Sequence, residues 1–272
     1  MPLDPDAISA SLASMAQSDV ARKRGKHLKP FRGLRGTPIP ATTRLLASLW
    51  RKDLSFEQDG EALHALFCTA HEDGLVAIGL TAALVPDDAM GALEMVDRWQ
   101  EMIDDTETAD FLGWMVLGPA LMASGEPVAQ SLAAYRDDEN WGARRMALMA
   151  GLALMPIALQ GACAAALRQR MGIPRLQFVA EPQGPAIEGL LDAYVRDDNP
   201  RVRKAFIRVA RSWAEYEPLA CEAWIGTVKG GMPKRLREEL ERGIRKGKRN
   251  ARRAAEAALL EQAESAQDEA SS

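Results

Sequence analysis

The chain has 272 residues, of which 47% are hydrophobic and 26% charged, and its formal net charge is −4. This composition is typical of a globular protein that can bury a substantial core. No apolar run reaches the roughly 18 residues of a transmembrane helix, and the N-terminus has no basic residue before Arg22, unlike a secretory signal. Three cysteines are too few for a disulfide framework, so we expect a cytoplasmic protein that does not bind a membrane.

Composition and periodicity predict an all-α fold. The chain contains 46 alanines but only 21 valines and isoleucines together. Alanine is the strongest helix former, whereas β-branched residues favour strands. Apolar residues recur at spacings of three and four nearly throughout, as in residues 42–50 and 62–70. We therefore predict roughly a dozen helices.

Four helix-entry segments indicate a repeat. Each begins with two acidic residues, at positions 72, 104, 138 and 197, so the intervals are 32, 34 and 59 residues. Acidic residues suit a helix N-terminus, where they cap free N–H groups and meet the positive end of the dipole. Intervals in the thirties predict an α-solenoid of HEAT-like helical repeats that forms a concave groove. A Gly- and Pro-rich insertion at residues 172–185 explains the longest interval.

Equivalent positions of stacked repeats line one surface, which gives a candidate row of residues. Counting from each helix entry, Ile78, Asp110, Arg144 and Arg203 occupy the same register. An acid next to bases is expected for a binding groove. The same residue types also form ion-pair ladders between repeats, and the sequence leaves both interpretations open.

Charge is distributed unevenly along the chain. Residues 22–35 contain seven bases and no acid, residues 53–110 contain fifteen acids against one base, and residues 229–253 contain eleven bases against three acids. The acidic, Ala- and Gln-rich end predicts a frayed helix and tail. From these changes we predict three parts: an N-terminal helix and basic segment (1–27), a repeat domain (28–253) and the tail (254–272).

A two-sided helix follows the fourth repeat entry. Helical spacing places four bases on one stripe, namely Arg201, Lys204, Arg208 and Arg211. The opposite stripe is apolar and consists of Val202, Phe206, Val209 and Trp213. A basic stripe backed by a packed apolar face is what a phosphate-binding surface needs. A solvated helix face is the alternative.

Enzyme and metal motifs are weak. His64, Cys68 and His71 are spaced as neighbours on one helix face, but the outer pair would lie about 10 Å apart at 1.5 Å per residue, and a structural zinc site needs four close ligands. We therefore predict no metal or cofactor and expect Cys68 to be core. The sequence has no phosphate-binding loop motif and no plausible Ser-His-Asp set.

With these motifs placed, the chain resembles the AlkD-type DNA alkylation repair family of HEAT-like DNA glycosylases over about residues 28–216. Residues 31–38 (FRGLRGTP) are similar to the family's entry segment of aromatic, glycine, basic residue and proline. Residues 102–110 resemble the segment that ends in the catalytic aspartate, and residues 140–148 resemble the Trp/Arg-Arg helix. Residues 198–210 resemble a later family helix.

The resemblance implies excision of cationic N3- or N7-alkylated purines from duplex DNA. Such a base leaves without a general acid, so the enzyme needs a carboxylate that stabilises positive charge on the deoxyribose and positions water. Asp110 matches the family's aspartate, and Arg144, or less favourably Arg145, matches the arginine that holds the DNA backbone. Further DNA contacts are expected from six basic residues: Arg32, Arg35, Arg203, Lys204, Arg208 and Arg211.

Two departures from the family pattern keep a second function open. The positions of two lesion-facing tryptophans of the family hold Thr106 and Arg208 here. Aromatic faces would attract a cationic nucleotide by about 0.5–2 kcal/mol each. Trp114 and Trp213 lie nearby in sequence, but we expect both to be core. The alternative function is therefore a non-catalytic repeat scaffold that binds DNA or protein.

Overall fold

The structure, a computed structural model, describes residues 2–51, 53–123, 132–155, 184–228 and 232–270. Within these ranges the regular secondary structure is helical and contains no β-strand. The prediction of an all-α solenoid of helical repeats is confirmed. Among the described helices, none is long and apolar enough to cross a membrane. The insertion predicted at 172–185 falls almost entirely outside the described residues.

Between residues 39 and 99 the helices follow one another with short connections. Those before residue 124 are α1 (Pro5–Ser14), α2 (Ser18–Arg24), α3 (Ile39–Leu49), α4 (Phe56–Thr69), α5 (His71–Leu84), α6 (Ala89–Trp99), α7 (Thr106–Phe111) and α8 (Gly118–Ala123). A 3-10 turn, Gln100–Met102, follows α6, and a π-helical segment, Leu112–Leu117, joins α7 to α8. The later helices are α9 (Trp141–Ala150), α10 (Gly184–Tyr194), α11 (Pro200–Tyr216), α12 (Pro218–Thr227) and α13 (Lys234–Ala270).

The chain forms two compact units, residues 1–206 and 207–272. Their boundary falls within α11, so that helix contributes to both. The three parts predicted from composition have boundaries after residues 27 and 253, and they stay a prediction. Helix α13 continues to Ala270, through most of the segment predicted as a tail.

Three of the four predicted helix entries begin with a side-chain cap. Asp105 accepts hydrogen bonds from the amides two and three residues later, both at 2.9 Å, and so caps α7. Helices α9 and α11 begin with a shared two-step motif. At α9, Asp138 accepts a hydrogen bond from the amide of Asn140, whose side chain accepts one from the amide of residue 142. At α11, Asp197 accepts from the amide of Asn199, whose side chain accepts from the amide of residue 201. Because each cap satisfies amides that lack a helical partner, the motif fixes where these helices begin.

The first predicted entry differs. Helix α5 begins at His71, so Glu72 and Asp73 lie inside its first turn and are fully buried rather than capping it. His71 consequently does not share a helix with Cys68, since α4 ends at Thr69. The expectation that Cys68 is core is wrong, because its face of α4 is the exposed one, opposite the buried apolar residues.

Glycines allow the π-helical segment and α9 to pack closely in the first unit. A Cβ added to Gly113 would lie 2.1 Å from the carbonyl oxygen of Met146, and one added to Gly142 would lie 2.2 Å from that of Ile103. These are backbone atoms, which cannot rotate away as a side chain can. Both positions therefore need the absence of a side chain, and this close approach sets the distance between α7 and α9.

The second unit has its own core. Trp213 is fully buried and meets the ring of Trp224 edge-on, with ring centroids 5.9 Å apart. Its indole Nε1–H donates to Glu217 Oε2 at 2.7 Å. The expected burial of Trp213 is confirmed, and a buried indole with a satisfied N–H is a core anchor rather than a ligand contact.

We predict that Gly113→Ala lowers the free energy of unfolding by about 1–3 kcal/mol, because the added methyl group overpacks against backbone. Gly60→Ala is the matched control: Gly60 lies within α4, and a Cβ there meets nothing within 4 Å. The control should be stabilising by about 0.5–1 kcal/mol, since alanine favours helix over glycine. Urea unfolding followed by circular dichroism compares the two, and equal midpoints would contradict the packing argument.

Candidate functional site

Asp110 forms a two-armed ion pair with Arg145. Asp110 lies in the last turn of α7, immediately before the π-helical segment, and Arg145 lies on α9. Arg145 Nε is 2.7 Å from Asp110 Oδ1, and a terminal guanidinium nitrogen is 3.0 Å from Oδ2. The side chain of Asp110 is 20% exposed and that of Arg145 is 8% exposed. The geometry is bidentate, which fixes the carboxylate plane as well as its charge.

Arg145 also connects this pair to α11. Its guanidinium donates to the backbone carbonyl of Arg201. The guanidinium of Arg201 in turn lies over the ring of Trp141, 4.4 Å from its centroid. Asp110 is thus held by a chain of contacts that joins three successive repeat helices.

Arg144 occupies a different environment from its neighbour. Its Nε lies 2.7 Å from Asp197 Oδ2, and its NH1 donates to the carbonyls of Asp138 and Glu139 at 2.6 and 3.2 Å. The predicted row therefore divides: Asp110 pairs with Arg145, Arg144 pairs with Asp197, and Ile78 is buried. Ion pairs between consecutive repeats are present, as the ladder interpretation expects.

The remaining member of the row, Arg203, is exposed on α11. Its Nε donates to the carbonyl of Asp197 at 2.9 Å. The stripe predicted for this helix is also present. Its four basic residues are exposed, and the opposite apolar residues are buried. Arg211 is bound to acids of its own unit, at 3.2 Å from Glu215 and 3.8 Å from Glu239.

The basic segment near the N-terminus binds acids of the chain itself. Arg35 pairs with the buried carboxylate of Asp73 at 2.6 Å, and its backbone N–H donates to Glu72. Arg24 pairs with Glu72 at 2.9 Å and also with Glu107. These residues, together with those of the next paragraph, form what we call the buried ionic cluster.

Arg32 is the most buried arginine of this cluster, with its side chain 5% exposed. Its guanidinium stacks 4.2 Å above the ring of Phe67 and donates to Thr108 Oγ1 at 3.2 Å. Burial lowers the pKa of Arg32, while the nearby carboxylate of Asp105 raises it. Arg32 and Arg35, predicted as DNA contacts, are thus internal cations here. Their role in DNA binding stays a prediction.

His71 completes the buried ionic cluster between two carboxylates. Its Nδ1 lies 3.3 Å from Asp105 Oδ2, and its Nε2 lies 2.8 Å from Glu107 Oε2. Burial opposes the charged form, but the two carboxylates outweigh it and raise the pKa of His71 to about 9. Burial also opposes the charged form of Asp105 and so raises its pKa, but His71 and the hydrogen bonds from Thr108 outweigh burial and lower this pKa to about 2. His71 is therefore an imidazolium at neutral pH.

Aromatic side chains near the site divide into buried and exposed. Trp114, four residues after Asp110, is buried in the π-helical segment, which confirms the expectation that it is core. Thr106, where the family has a tryptophan, is partly exposed. Sequence reasoning did not single out Phe31, which is 96% exposed while its backbone N–H is held by Asp104. Its neighbours in sequence gave no signal of this exposure, because it depends on tertiary contacts.

An open cleft of about 460 Å³ lies beside the start of α9. Trp141 lines it together with four acidic residues, Glu101, Asp104, Asp138 and Glu139. Carboxylates in this number repel phosphate, so the cleft is unsuited to the DNA backbone.

The comparisons with known proteins agree with this fold. The sequence matches the family model described as DNA alkylation repair enzyme over residues 8–240, so the chain belongs to the DNA alkylation repair family. Among solved structures it is similar to a predicted DNA alkylation repair enzyme from Enterococcus faecalis, with a TM-score of 0.59 and 15% identity over 83% of this chain and 94% of that one. At this identity the likeness concerns the fold alone. A search of curated proteins gave no match.

We predict that stability falls between pH 6.5 and about 9 through His71. A pKa raised from 6.5 to about 9 means that its stabilisation is complete below pH 6.5 and is lost as the pH rises through 9. The pKa values correspond to a loss on the order of 3 kcal/mol. His71→Gln should remove this pH dependence, whereas His27→Gln, at an exposed position, should preserve it. Thermal unfolding at pH 6 and pH 9 measures both, and an unchanged pH dependence in His71→Gln would refute the assignment.

Proposed function

We propose that this member of the DNA alkylation repair family is a DNA glycosylase that excises cationic N3- or N7-alkylated purines. The observation that carries the proposal is Asp110, a partly exposed carboxylate oriented by a bidentate arginine. It stands at the position that resembles the catalytic aspartate of the family. No metal or cofactor enters the proposed reaction.

The chemistry suits a single carboxylate. The alkylated base carries a positive charge, so it leaves as a neutral purine when the bond between C1′ and the ring nitrogen breaks. Positive charge then develops on the deoxyribose, where the carboxylate of Asp110 stabilises it. Water adds to C1′, and Asp110 or solvent accepts its proton, which leaves an abasic deoxyribose and the free base.

Arg145 serves this reaction as a positioning residue. Two hydrogen bonds from one planar guanidinium hold the Asp110 carboxylate in a single orientation. This role differs from the one expected from the sequence, in which Arg144, or less favourably Arg145, holds the DNA backbone. Arg144 itself is held by Asp197 and two carbonyls, so it supports the proposal only as part of the scaffold.

Exposed bases on α11 supply the proposed phosphate contacts. Arg203, Lys204 and Arg208 are exposed on that helix, Lys204 and Arg208 on its basic stripe and Arg203 outside the stripe. Arg211 is exposed as well, although Glu215 and Glu239 compete for its charge. Arg32 and Arg35 are left out of the proposed interface because they bind acids of the buried ionic cluster.

A non-catalytic scaffold that binds DNA or protein is the alternative, and one observation favours it. Like the Asp110–Arg145 pair, the Arg144–Asp197 pair joins neighbouring repeats, although it does so through one side-chain hydrogen bond rather than two. If both are structural ladders, Asp110 has no chemical role.

The two functions are separated by comparing Asp110→Asn with Asp197→Asn. Each substitution keeps the side-chain size and weakens one ion pair between repeats, so the two variants are matched structurally. We predict that Asp110→Asn slows release of 7-methylguanine from duplex DNA by at least about 100-fold, the usual effect of removing an electrostatic catalyst. Asp197→Asn should retain most of the wild-type rate under single-turnover conditions.

Equal background rates in the wild type and Asp110→Asn would reject the glycosylase proposal and leave the scaffold. Equal loss in both variants would show that the ion pairs act through stability alone. Circular dichroism melting of each variant, performed at the assay temperature and above, checks that the fold persists during the measurement.

A further inference from the structure

We propose that the basic face of α13 is a separate surface that binds the phosphate backbone of duplex DNA. DNA as the polyanion rests on the proposed function, whereas the surface itself rests on the structure. The face is defined by seven residues that fall within an arc of about 120° on a helix: Arg235, Arg242, Arg245, Lys246, Arg249, Arg252 and Arg253. All seven are exposed, and four of them also have an acidic partner in the chain: Arg242 with Glu239, Arg245 with Glu241, Lys246 with Glu215 and Arg252 with Glu256. Ion pairs of exposed side chains contribute little to stability, so a phosphate can replace the acid in each of them.

Packing in the second unit fixes the direction of this face. The buried side of α13 holds Leu236, Leu240 and Ile244, with Gly243 and Gly247 between them. A Cβ on Gly247 would lie 2.7 Å from the carbonyl oxygens of Ala214 and Glu215, so α13 meets the backbone of α11 there. A helix seated this closely cannot rotate, and its basic face stays in solvent.

From residue 248 to residue 257 the helix buries no side chain, although Lys248 pairs with Glu222 of α12 at 2.7 Å. Every residue from 248 to 257 is exposed, including the alanines. Helices in proteins normally depend on a buried face for stability. Here three like charges, Arg245, Arg249 and Arg253, also follow one another at i, i+4 and i+8, an arrangement that destabilises an isolated helix. A bound polyanion would reduce this repulsion and stabilise the helix, which burial of side chains does not do over residues 248–257.

The chemistry of the face favours nucleic acid over other polyanionic partners. Residues 242–253 contain seven bases and no acid. Between residues 248 and 258 no apolar side chain is larger than alanine. A helix that lies on a membrane needs an apolar face to insert, and protein interfaces need aromatic or aliphatic anchors. Over residues 248–258 the track of Arg and Lys has no such anchor, and the exposed Leu259 lies beyond it. A track of this composition matches a phosphate backbone.

The length of the basic face and its position in the chain also fit a separate DNA-binding surface. From Arg235 to Arg253 the face extends about 27 Å at 1.5 Å per residue, enough to meet several successive phosphates. The family match ends at residue 240, so most of the face lies beyond the part of the chain that the family model covers. The family match therefore does not by itself account for this face.

The test neutralises three charges that line the face. The variant Arg245→Gln/Arg249→Gln/Arg253→Gln keeps helix-forming side chains. The control Arg44→Gln/Arg136→Gln/Arg196→Gln removes three exposed charges from the first unit. Affinity for undamaged fluorescent duplex DNA is measured by anisotropy between 50 and 200 mM NaCl, where each phosphate contact contributes about 0.9 to the slope of log Kd against log salt.

We expect the α13 variant to lower this slope by about 2–3 and to weaken binding at 50 mM salt, with little change in the control. An unchanged slope, or equal losses in both variants, would overturn the proposal. Loss of sedimentation with phosphatidylserine vesicles, without loss of DNA binding, would also overturn it and assign the face to membranes.

The outcome is independent of the glycosylase proposal. At saturating DNA the α13 variant should release base at the wild-type rate, while Asp110→Asn should lose release and keep the wild-type salt slope. If no protein releases base, the glycosylase proposal fails, yet the salt slopes still decide whether α13 binds DNA.

Discussion

The buried ionic cluster is the interaction on which the first unit depends. It brings the guanidinium groups of the 24–35 segment and the His71 imidazolium against carboxylates at the start of α5 and α7, where Glu72, Asp73 and His71 are fully buried. Removing charges from water is costly, and the cost is offset only where each finds a well-placed partner. Such a cluster tolerates one arrangement of its elements. It thereby fixes the N-terminal segment and α7, which carries Asp110 one turn and a half later.

Ion pairs also join neighbouring helices of the later repeats. The Asp110–Arg145 and Arg144–Asp197 pairs join neighbouring helices, yet the first keeps a carboxylate that is 20% exposed, whereas Asp197 is 8% exposed. Partial exposure is what a charge needs if it is to act on a ligand. Asp110 can therefore serve both as one half of a structural ion pair and as a catalytic carboxylate. Which of these roles it has depends on whether DNA reaches it.

Local patterns were sufficient to predict much of the fold. Helix class, the capped starts of α7, α9 and α11, and the two faces of α11 all follow from residue spacing along one segment. The ion-pair partners of individual side chains could not be predicted, because they depend on which helices pack against each other. Arg144 and Arg145 are adjacent in sequence but about 100° apart on the helix, and sequence alone could not say which faces Asp110. The basic 22–35 and acidic 53–110 segments are separate charge runs in the sequence, whereas in the fold several of their residues neutralise each other.

The π-helical segment after Asp110 has a consequence for how this chain tolerates changes in length. A π-helix accommodates an extra residue in its turn compared with an α-helix. Losing one residue elsewhere in a buried helix rotates everything that follows by about 100° and moves core side chains into solvent. Within Leu112–Leu117 the loss converts a wide turn into an ordinary one, so the flanking α7 and α8 can keep their faces. This part of the core is where a deletion disturbs the Asp110 position least.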